Sequence, residues 1–487
     1  MKKVINGFIT RYKSDKIFFA EWLLAIATGA FVFFTSSTWD LQSLTQWSVN
    51  FWHVIFGEGG VRNFYEYTAE NVWTVHHTHM GSELMSVLPW SIWNFPLFLI
   101  EKFTGHKIVD SAWMLTYSKF FLVIISVITM IYAKKVTVQI TGDKNKGIWA
   151  AFLSASSIYF YISVCYSGQN EIFMICSSVI AVHCLFNKKF KWFIFWSALT
   201  IAIKPFFVLA YIAVLLLIEK KIYKIFYKLV IGMSGMIAQK LFFYGAPGYE
   251  ESMNTGPAKK MLNEMFPGNL NTQFGALSFF ALFLVLIYLY SYTRDFSYET
   301  FTTDEVRTKK FVIYTICLVY MDYVMFSPFS FYRAAVMLPF LYIVMVQNTE
   351  MGFYNTLFDI AMQFAFIMKM ILRGSTMFNV TFINNSLVAR VLGYKVNAKK
   401  AGYAANLDKF FWHKTELMES FQPLFAGVTI VSAVMILALN CPARQTKLRH
   451  YGYRHYRVLL WARTLLIVPF VLLILYLFTK ANGRYYV

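Results

Sequence analysis

Charged residues are scarce in this chain: they make up 14% of its 487 residues, whereas 58% are hydrophobic and 19% aromatic. This composition is too apolar for a soluble protein of this length and excludes an intrinsically disordered one. Acidic residues are the scarcer kind, with 25 Asp and Glu against 45 Lys and Arg. The basic residues form short clusters between apolar stretches and no nucleic-acid-binding motif, so we expect no nucleic-acid partner.

Cysteine is also rare, and its spacing excludes two kinds of site. The five cysteines show no paired spacing, which argues against a disulfide framework and against a zinc site. A glycine-rich nucleotide-binding loop is missing too, and we predict no cofactor, while a metal requirement stays open. No internal repeat supports the inverted halves of many secondary transporters.

Apolar runs of about 20 residues, the length that crosses a hydrocarbon core, are what the chain has in abundance. We therefore predict an all-α fold, a polytopic transmembrane helix bundle with about 11 to 14 membrane segments and interfacial helices in its exterior first loop. The runs are 17–37, 113–133, 147–165, 171–187, 225–243, 274–292, 311–326, 333–347, 354–371, 423–440 and 458–478, with less regular ones at 85–101 and 192–218.

The runs suggest three regions along the chain. Residues 1–370 would form a transmembrane core whose exterior first loop is 38–85. Residues 371–422 would form a second exterior loop, and residues 423–487 a C-terminal pair of transmembrane helices. The segment 85–101 contains Pro89 and Pro96, which interrupt a helix, and whether it crosses the membrane stays open.

Basic clusters predict the orientation of the spans. Five Lys and Arg residues precede the first apolar run, which places the N terminus in the cytoplasm, and later clusters that include Lys309 and Arg457 would mark further cytoplasmic loops. No cleavage-site pattern follows the first run, so we interpret it as an anchor. The expected location is a multi-pass protein of the bacterial plasma membrane with its site on the exterior.

Asp40 is the first acidic residue beyond the first apolar run, and Trp39 and Trp47 flank it. A carboxylate at headgroup depth could act as a general base beside a lipid. Taken alone, an aspartate in this position is more often a solvated loop residue next to interfacial tryptophans. The run 47–56 places its apolar residues on one helical face, which predicts a helix lying in the membrane interface.

Lys204 and Pro205 interrupt the run 192–218, so we expect two half-helices that meet at a charged break. A cation at such a break marks a functional site or snorkels from a helix end, and both interpretations stay open. The histidines His76, His77 and His79 lack the spacing of a metal site, because adjacent histidines on a helix point in different directions. We interpret them as structural or substrate-contact residues.

Four short motifs follow one another along the chain: Asp40, Gly168-Gln169-Asn170-Glu171, Lys204-Pro205-Phe206, and the stretch 327–333, which ends in Arg333. Their order resembles that of the GT-C superfamily of multispanning glycosyltransferases, in particular a bacterial branch similar to polyprenyl-phosphate-mannose-dependent mannosyltransferases. The chain differs from that pattern in the single acidic residue of its first loop and in a turn that ends in Glu rather than Asp.

The resemblance implies an inverting transfer of a hexose, such as mannose, from a polyprenyl-phosphate donor to an exterior glycan, glycolipid or protein. Asp40 would be the base that deprotonates the acceptor hydroxyl, and Lys204 and Arg333 would hold the leaving phosphate. The expected partners are membrane lipids, the lipid-linked sugar and the acceptor, and no metal ligand is assigned. Further contacts with the substrates would come from Gln169, Glu171, Glu83 and His79.

Two other functions fit parts of the pattern. A flippase or transporter of lipid-linked oligosaccharides would place charges deep in several spans, for which the candidates are Lys119, Glu21, Lys204, Asp322 and Asp359. A polysaccharide polymerase or ligase would use exterior arginines on a growing chain, for which the candidates are Arg62, Arg333, Arg373 and Arg390.

Overall fold

A computed structural model describes residues 17–481 except 18, 58, 72–79, 109–110, 256–258, 260–262, 269, 274, 298–299, 328–331, 374–385, 394–414, 444–450 and 452. The protein is predominantly helical, as predicted. Its one described sheet is a two-stranded antiparallel hairpin that pairs Leu270–Thr272 with Gly275–Leu277.

Among the described residues, four helical stretches are long and apolar enough to cross a membrane: Ala112–Thr141, Ile222–Phe243, Phe421–Leu439 and His455–Leu475. The number rises to six if each of two bent helix pairs counts as one span. Four shorter apolar helices, of 10 to 17 residues, accompany them. The length and composition of these helices support the prediction of membrane insertion, and the count of 11 to 14 segments stays a prediction.

The chain folds into two compact units, which interleave along the sequence. One unit comprises residues 38–132 and 167–337. Its helices are Trp39–Phe56, Phe64–Glu70, Leu88–Trp93, Phe95–Thr104, residues 112–132 of Ala112–Thr141, Glu171–Phe186, Phe190–Ile203, Phe207–Ile218, Ile222–Phe243, Tyr249–Thr255, Phe279–Tyr292, Thr300–Thr303 and Glu305–Phe326, with short 3-10 turns at Val61–Asn63, Leu84–Ser86 and Arg333–Met337. We call this the motif unit, because all four sequence motifs belong to it.

The second unit comprises residues 1–37, 133–166 and 338–487, and we call it the terminal unit. Its helices are Phe19–Thr35, Lys144–Ala155, Ile158–Phe160, the π-helix Tyr161–Tyr166, Phe340–Gln347, Gly352–Arg373, Leu387–Val391, Thr415–Leu439, Tyr453–Leu465 and Ile467–Ala481, with a 3-10 turn at Thr349–Met351. The boundaries that the sequence suggested at 370 and 422 stay a prediction, since most of the loop between them lies outside the described residues.

Prolines fix where several helices begin. Pro89 and Pro96 each lie in the first turn of a helix, Leu88–Trp93 and Phe95–Thr104, where a missing backbone N–H costs nothing. Helix Phe190–Ile203 ends at Lys204, whose backbone is extended, and the next helix begins at Phe207. The predicted pair of half-helices at the Lys204-Pro205 break is therefore confirmed.

The helix Trp39–Phe56 differs from its prediction as an interfacial helix. It is buried on polar and apolar faces alike, with every residue from Leu41 to Phe51 buried. Hydrogen bonds satisfy part of its buried polar face: Thr45 Oγ1 lies 2.9 Å from Ser118 Oγ, and Asn94 Nδ2 donates to Ser48 Oγ at 2.7 Å. The helix is thus part of the protein interior.

Two basic residues that were predicted to mark loops are buried in helices instead. Arg457 has no exposed side-chain surface and pairs with Glu21 at 2.6 Å. Lys309 is 5% exposed in its side chain and pairs with Glu305 one turn earlier. Each cation has a carboxylate partner, which offsets the cost of burying its charge. A basic residue in the sequence therefore does not by itself show that its segment is a loop.

Candidate functional site

Asp40 lies in the first turn of the helix Trp39–Phe56 rather than in a loop, and it is half-buried. Thr38 caps this helix: its hydroxyl accepts a hydrogen bond from Leu41 N at 3.4 Å and donates one to Ser167 O at 2.7 Å. A carboxylate is favourable here, because helix N-termini carry partial positive charge. The cap therefore fixes the Asp40 backbone against the segment that begins at Ser167.

That segment is a sharp turn, which we call the 168–171 turn, and it brings Gln169 against Asp40. Gln169 Nε2 donates a hydrogen bond to Asp40 Oδ2 at 2.5 Å. Gly168 has φ +65, a left-handed conformation that suits glycine, and an added Cβ would lie 2.9 Å from Leu41 Cδ1. Both its conformation and its closeness to Leu41 thus require glycine, and they set the distance between Gln169 and Asp40.

The last residue of the turn, Glu171, begins the next helix and forms an ion pair. Lys204 Nζ lies 3.4 Å from Glu171 Oε1, and the two side chains are 18% and 6% exposed. The other oxygen of Glu171, Oε2, is buried without a hydrogen-bond partner among the described residues. The pair therefore retains unused hydrogen-bonding capacity on its acidic side.

Aromatic side chains connect the Lys204 break to Arg333. Phe206 stacks on Tyr323, with ring centroids 4.5 Å apart and an interplanar angle of 14°. Tyr323 interacts electrostatically with both Arg333 and Glu171. The 3-10 turn that Arg333 begins packs against the helix that starts at Glu171. Arg333 thus belongs to the same neighbourhood as the ion pair.

Glu83 lies in the loop before Leu84–Ser86 and is 5% exposed. Tyr249 Oη donates to it, 3.3 Å from each carboxylate oxygen. Burial raises the pKa of the Glu83 carboxyl, while the charge of Lys240 and the hydrogen bond from Tyr249 act in the opposite direction.

Two side-chain amides connect the Glu83 loop to the other motifs. Asn170 Nδ2, in the 168–171 turn, donates to Ser86 O at 3.0 Å. Gln239 accepts from Met85 N at 2.7 Å and donates to Ala202 O at 3.2 Å, two residues before Lys204. The Glu83 loop is thus held by hydrogen bonds to the 168–171 turn and to the helix that precedes the Lys204 break.

The sequence motifs therefore converge, with Asp40, Gln169, Glu171, Lys204 and Arg333 in one neighbourhood. Glu83 lies beside it, and His79 falls outside the described residues. Sequence reasoning missed Gln239, Tyr249 and Tyr323. Their residue types occur throughout the chain and therefore do not mark a site. Only Tyr323 could have been suspected from the sequence, because it lies just before the stretch 327–333.

Within the described ranges, no group of three or more His, Cys, Asp or Glu side chains could hold a metal ion. The arrangement instead combines a helix-terminal carboxylate, an amide that contacts it, and two cations beside an aromatic pair. Comparison of the chain with protein-family models, with curated proteins and with solved structures finds no match.

Proposed function

We propose that this protein is a membrane glycosyltransferase of GT-C type that transfers a hexose from a polyprenyl-phosphate donor to an acceptor hydroxyl outside the cytoplasm. The acceptor class is a cell-envelope glycan, a glycolipid or a protein. The proposal includes a bundle of 11 to 14 membrane segments, a cytoplasmic N terminus and no cofactor.

One observation carries the proposal: the 168–171 turn contacts both the candidate base and a candidate phosphate ligand. Gln169 bonds to Asp40 and Glu171 pairs with Lys204. Gln169 and Glu171 are two residues apart, so their Cα atoms are separated by at most about 7 Å. Such a spacing suits a reaction whose attacking hydroxyl and leaving phosphate flank one sugar carbon.

The chemistry divides between these side chains. Asp40 accepts the proton of the acceptor hydroxyl, whose oxygen attacks the anomeric carbon as the bond from that carbon to the phosphate oxygen breaks. The phosphate leaves with the bonding electron pair, and the single displacement inverts the configuration. Gln169 orients the Asp40 carboxylate through its hydrogen bond, so that an oxygen of the carboxylate can face the acceptor hydroxyl.

Lys204 and Arg333 stabilise the negative charge that develops on the leaving phosphate. Glu171 is the one ion-pair partner of Lys204 in the described structure, at 3.4 Å. An ammonium has three donors, so Lys204 can contact a phosphate oxygen without leaving Glu171. Arg333 can hold two phosphate oxygens at once, which a lysine cannot.

The experiment is transfer from radiolabelled polyprenyl-phosphate sugars by the purified full chain and by its Asp40→Asn variant. Asn keeps the shape of Asp and removes the base, so transfer should fall by about 100-fold or more. The matched control is Asp304→Asn, because the Asp304 side chain is 49% exposed in another part of the same unit. Near-normal transfer by folded Asp40→Asn would exclude Asp40 as the base.

A further inference from the structure

Asp322 is a buried carboxyl group that the proposed reaction does not use. It lies near the end of the helix Glu305–Phe326 and is 4% exposed. Neither of its oxygens has a hydrogen-bond partner among the residues that the structure describes. A buried polar group without a hydrogen bond is costly, and a buried unpaired charge is far more so.

The elements that pack against this helix supply no counter-charge for Asp322. Helix Phe207–Ile218 contains no Lys, Arg, His, Asp or Glu, and its tyrosine, Tyr211, donates its hydroxyl hydrogen to Lys228 O at 2.9 Å. Helix Phe279–Tyr292 contributes Tyr288, which interacts electrostatically with Asp322 but bonds to Leu209 O at 3.2 Å.

The other elements that pack extensively against this helix also give Asp322 no charge partner. Helix Thr300–Thr303 contains no titratable residue. Arg333, from the adjoining 3-10 turn, and Glu171, from the helix Glu171–Phe186, interact with Tyr323, the residue after Asp322. Successive residues on a helix point about 100° apart, so Tyr323 faces those two charges while Asp322 faces other neighbours. Among these elements, none offers a cation to the Asp322 carboxyl.

We propose that Asp322 is a proton-binding site: the folded protein holds it as a neutral carboxylic acid. A bound proton removes the cost of burying an unpaired charge, and the helix bundle provides no other way to do so among its described residues. The buried carboxylate Asp359 shows the alternative, because Arg463 pairs with it at 2.5 Å.

The proposal stands independently of sugar transfer, but it bears on the candidate site. Tyr323, the next residue, stacks on Phe206 two positions after Lys204. An ionised Asp322 would add a negative charge near Lys204 and Arg333 and would weaken their attraction for a phosphate. A neutral Asp322 leaves that attraction intact.

Infrared difference spectroscopy on the purified full chain at neutral pH tests the proposal, because acid and carboxylate groups absorb at different frequencies. Asp322→Asn should remove a protonated-acid carbonyl band, whereas Asp304→Asn, at an exposed ion-paired position, should remove carboxylate bands. Loss of carboxylate bands from Asp322→Asn would overturn the proposal. If this variant fails to fold, wild-type protein isotope-labelled at the aspartate carboxyls should still show a shifted acid band, and its absence would overturn the proposal as well.

Chemical modification gives a second readout. An apolar carbodiimide adds to a carboxylic acid, whose oxygen bonds to the reagent's central carbon while its proton moves to a reagent nitrogen. Dicyclohexylcarbodiimide should therefore modify Asp322 and leave Asp359 unmodified, as peptide mass spectrometry would show. Modification of both residues to the same extent would contradict the proposal. The reaction with the carbodiimide would then not depend on whether the carboxyl group is paired with a cation.

Discussion

Arg463 and Lys204 are the cations of two ion pairs, one in the terminal unit and one in the motif unit. The side chains of Arg463 and Asp359 have no exposed surface, whereas Lys204 is 18% exposed and Glu171 6%. Arg463 donates to Asp359 at 2.5 Å, and Lys204 lies 3.4 Å from Glu171. The first pair is closed to solvent and tight, and the second is looser and partly open.

The surroundings of the two pairs differ as much as their distances. Arg463 also donates to Ser156 Oγ at 2.7 Å, Leu153 O at 2.7 Å and Tyr342 Oη at 3.0 Å. Tyr342 in turn donates to the second oxygen of Asp359 at 3.1 Å. Glu171 has one oxygen without a hydrogen-bond partner in the described structure. A network in which every donor and acceptor is hydrogen-bonded makes the protein interior rigid. A network with an unused acceptor can still bind a ligand.

The same comparison bears on the transport hypothesis, which would place charges deep in several spans. Two of the candidates for such charges are paired within the terminal unit: Glu21 with Arg457, and Asp359 with Arg463. Breaking such a buried pair is strongly unfavourable, so these charges are held by each other and do not readily bind a transported substrate. The charges of the terminal unit therefore give a transporter no support, and the motif unit remains the place to test function.

The largest expected effect comes from breaking the saturated pair. Arg463→Met should cost about 3–5 kcal/mol of stability, because it leaves the Asp359 carboxylate buried and uncompensated. Arg307→Met is the matched control: Arg307 is 61% exposed and lies 3.8 Å from Asp304, so its loss should change stability by less than about 0.5 kcal/mol. Thermal unfolding of the purified proteins measures both.

A double substitution separates the charge from the packing. Arg463→Met combined with Asp359→Leu removes both charges, and it should recover much of the lost stability, since an apolar pair can replace a buried ion pair. If the single Arg463→Met variant were as stable as wild type, the saturated network would not hold this unit together.

The second prediction concerns the open pair, where we expect loss of activity rather than of stability. Lys204→Gln and Arg333→Gln should each weaken transfer by about 1.5–3 kcal/mol, or roughly 10- to 150-fold, by removing a charge-assisted contact with the phosphate. Lys191→Gln is the control, because Lys191 is exposed on the helix that ends at Lys204. Expression should stay close to wild type, and any fall in unfolding temperature should be much smaller than for Arg463→Met, because the Lys204–Glu171 pair is longer and partly exposed.

The kinetic pattern distinguishes a ligand contact from a structural one. Loss of a contact with the donor phosphate should change the kinetic constants for the donor and leave the acceptor KM near its wild-type value. Unchanged kinetic constants in both variants would show that Lys204 and Arg333 do not contact the donor. A large fall in unfolding temperature would show that their interactions stabilise the fold, as those of Arg463 do.

The third prediction compares two glycines with positive φ, one in each unit. Gly168→Ala should cost about 1–2 kcal/mol for its left-handed backbone and more for the contact with Leu41. Gly142, with φ +70, has open space around an added Cβ, so Gly142→Ala should show the backbone cost alone. Gly168→Ala should also reduce transfer, because it displaces Gln169 from Asp40. Equal losses from both variants would mean that the closeness to Leu41 is unimportant.

The sequence predicted the helices well and the pairings poorly, for a physical reason. Apolar runs reveal buried helices locally, and Pro205 shows where one ends. Partners such as Asp40 and Gln169 are 129 positions apart, and Glu21 and Arg457 are 436 apart. A local sequence pattern contains no information about partners that lie so far apart in the sequence. The sequence motifs identified Asp40 and the 168–171 turn as separate candidates. Their hydrogen bond became visible only in the folded structure.

The smallest expected effect is a pH dependence of stability that arises from Glu83. Like Glu171, Glu83 is a buried carboxyl group of the motif unit. Burial raises its pKa, so between the unfolded and folded pKa values the folded protein binds more protons than the unfolded chain. Glu83 therefore stabilises the fold most below its unfolded pKa, and this contribution is lost as the pH rises through the folded pKa. Glu83→Gln cannot titrate and should lack that loss.

The measurement is the unfolding temperature of wild type, Glu83→Gln and the control Glu66→Gln across mildly acidic to neutral pH. Glu66 is exposed in the neighbouring helix Phe64–Glu70, so its variant should follow the wild-type profile. The difference between wild type and Glu83→Gln should move in favour of the variant as the pH rises, because only wild type then acquires a buried carboxylate. A constant difference would show that Glu83 keeps its charge throughout, with Lys240 and Tyr249 compensating it as fully as Arg463 compensates Asp359.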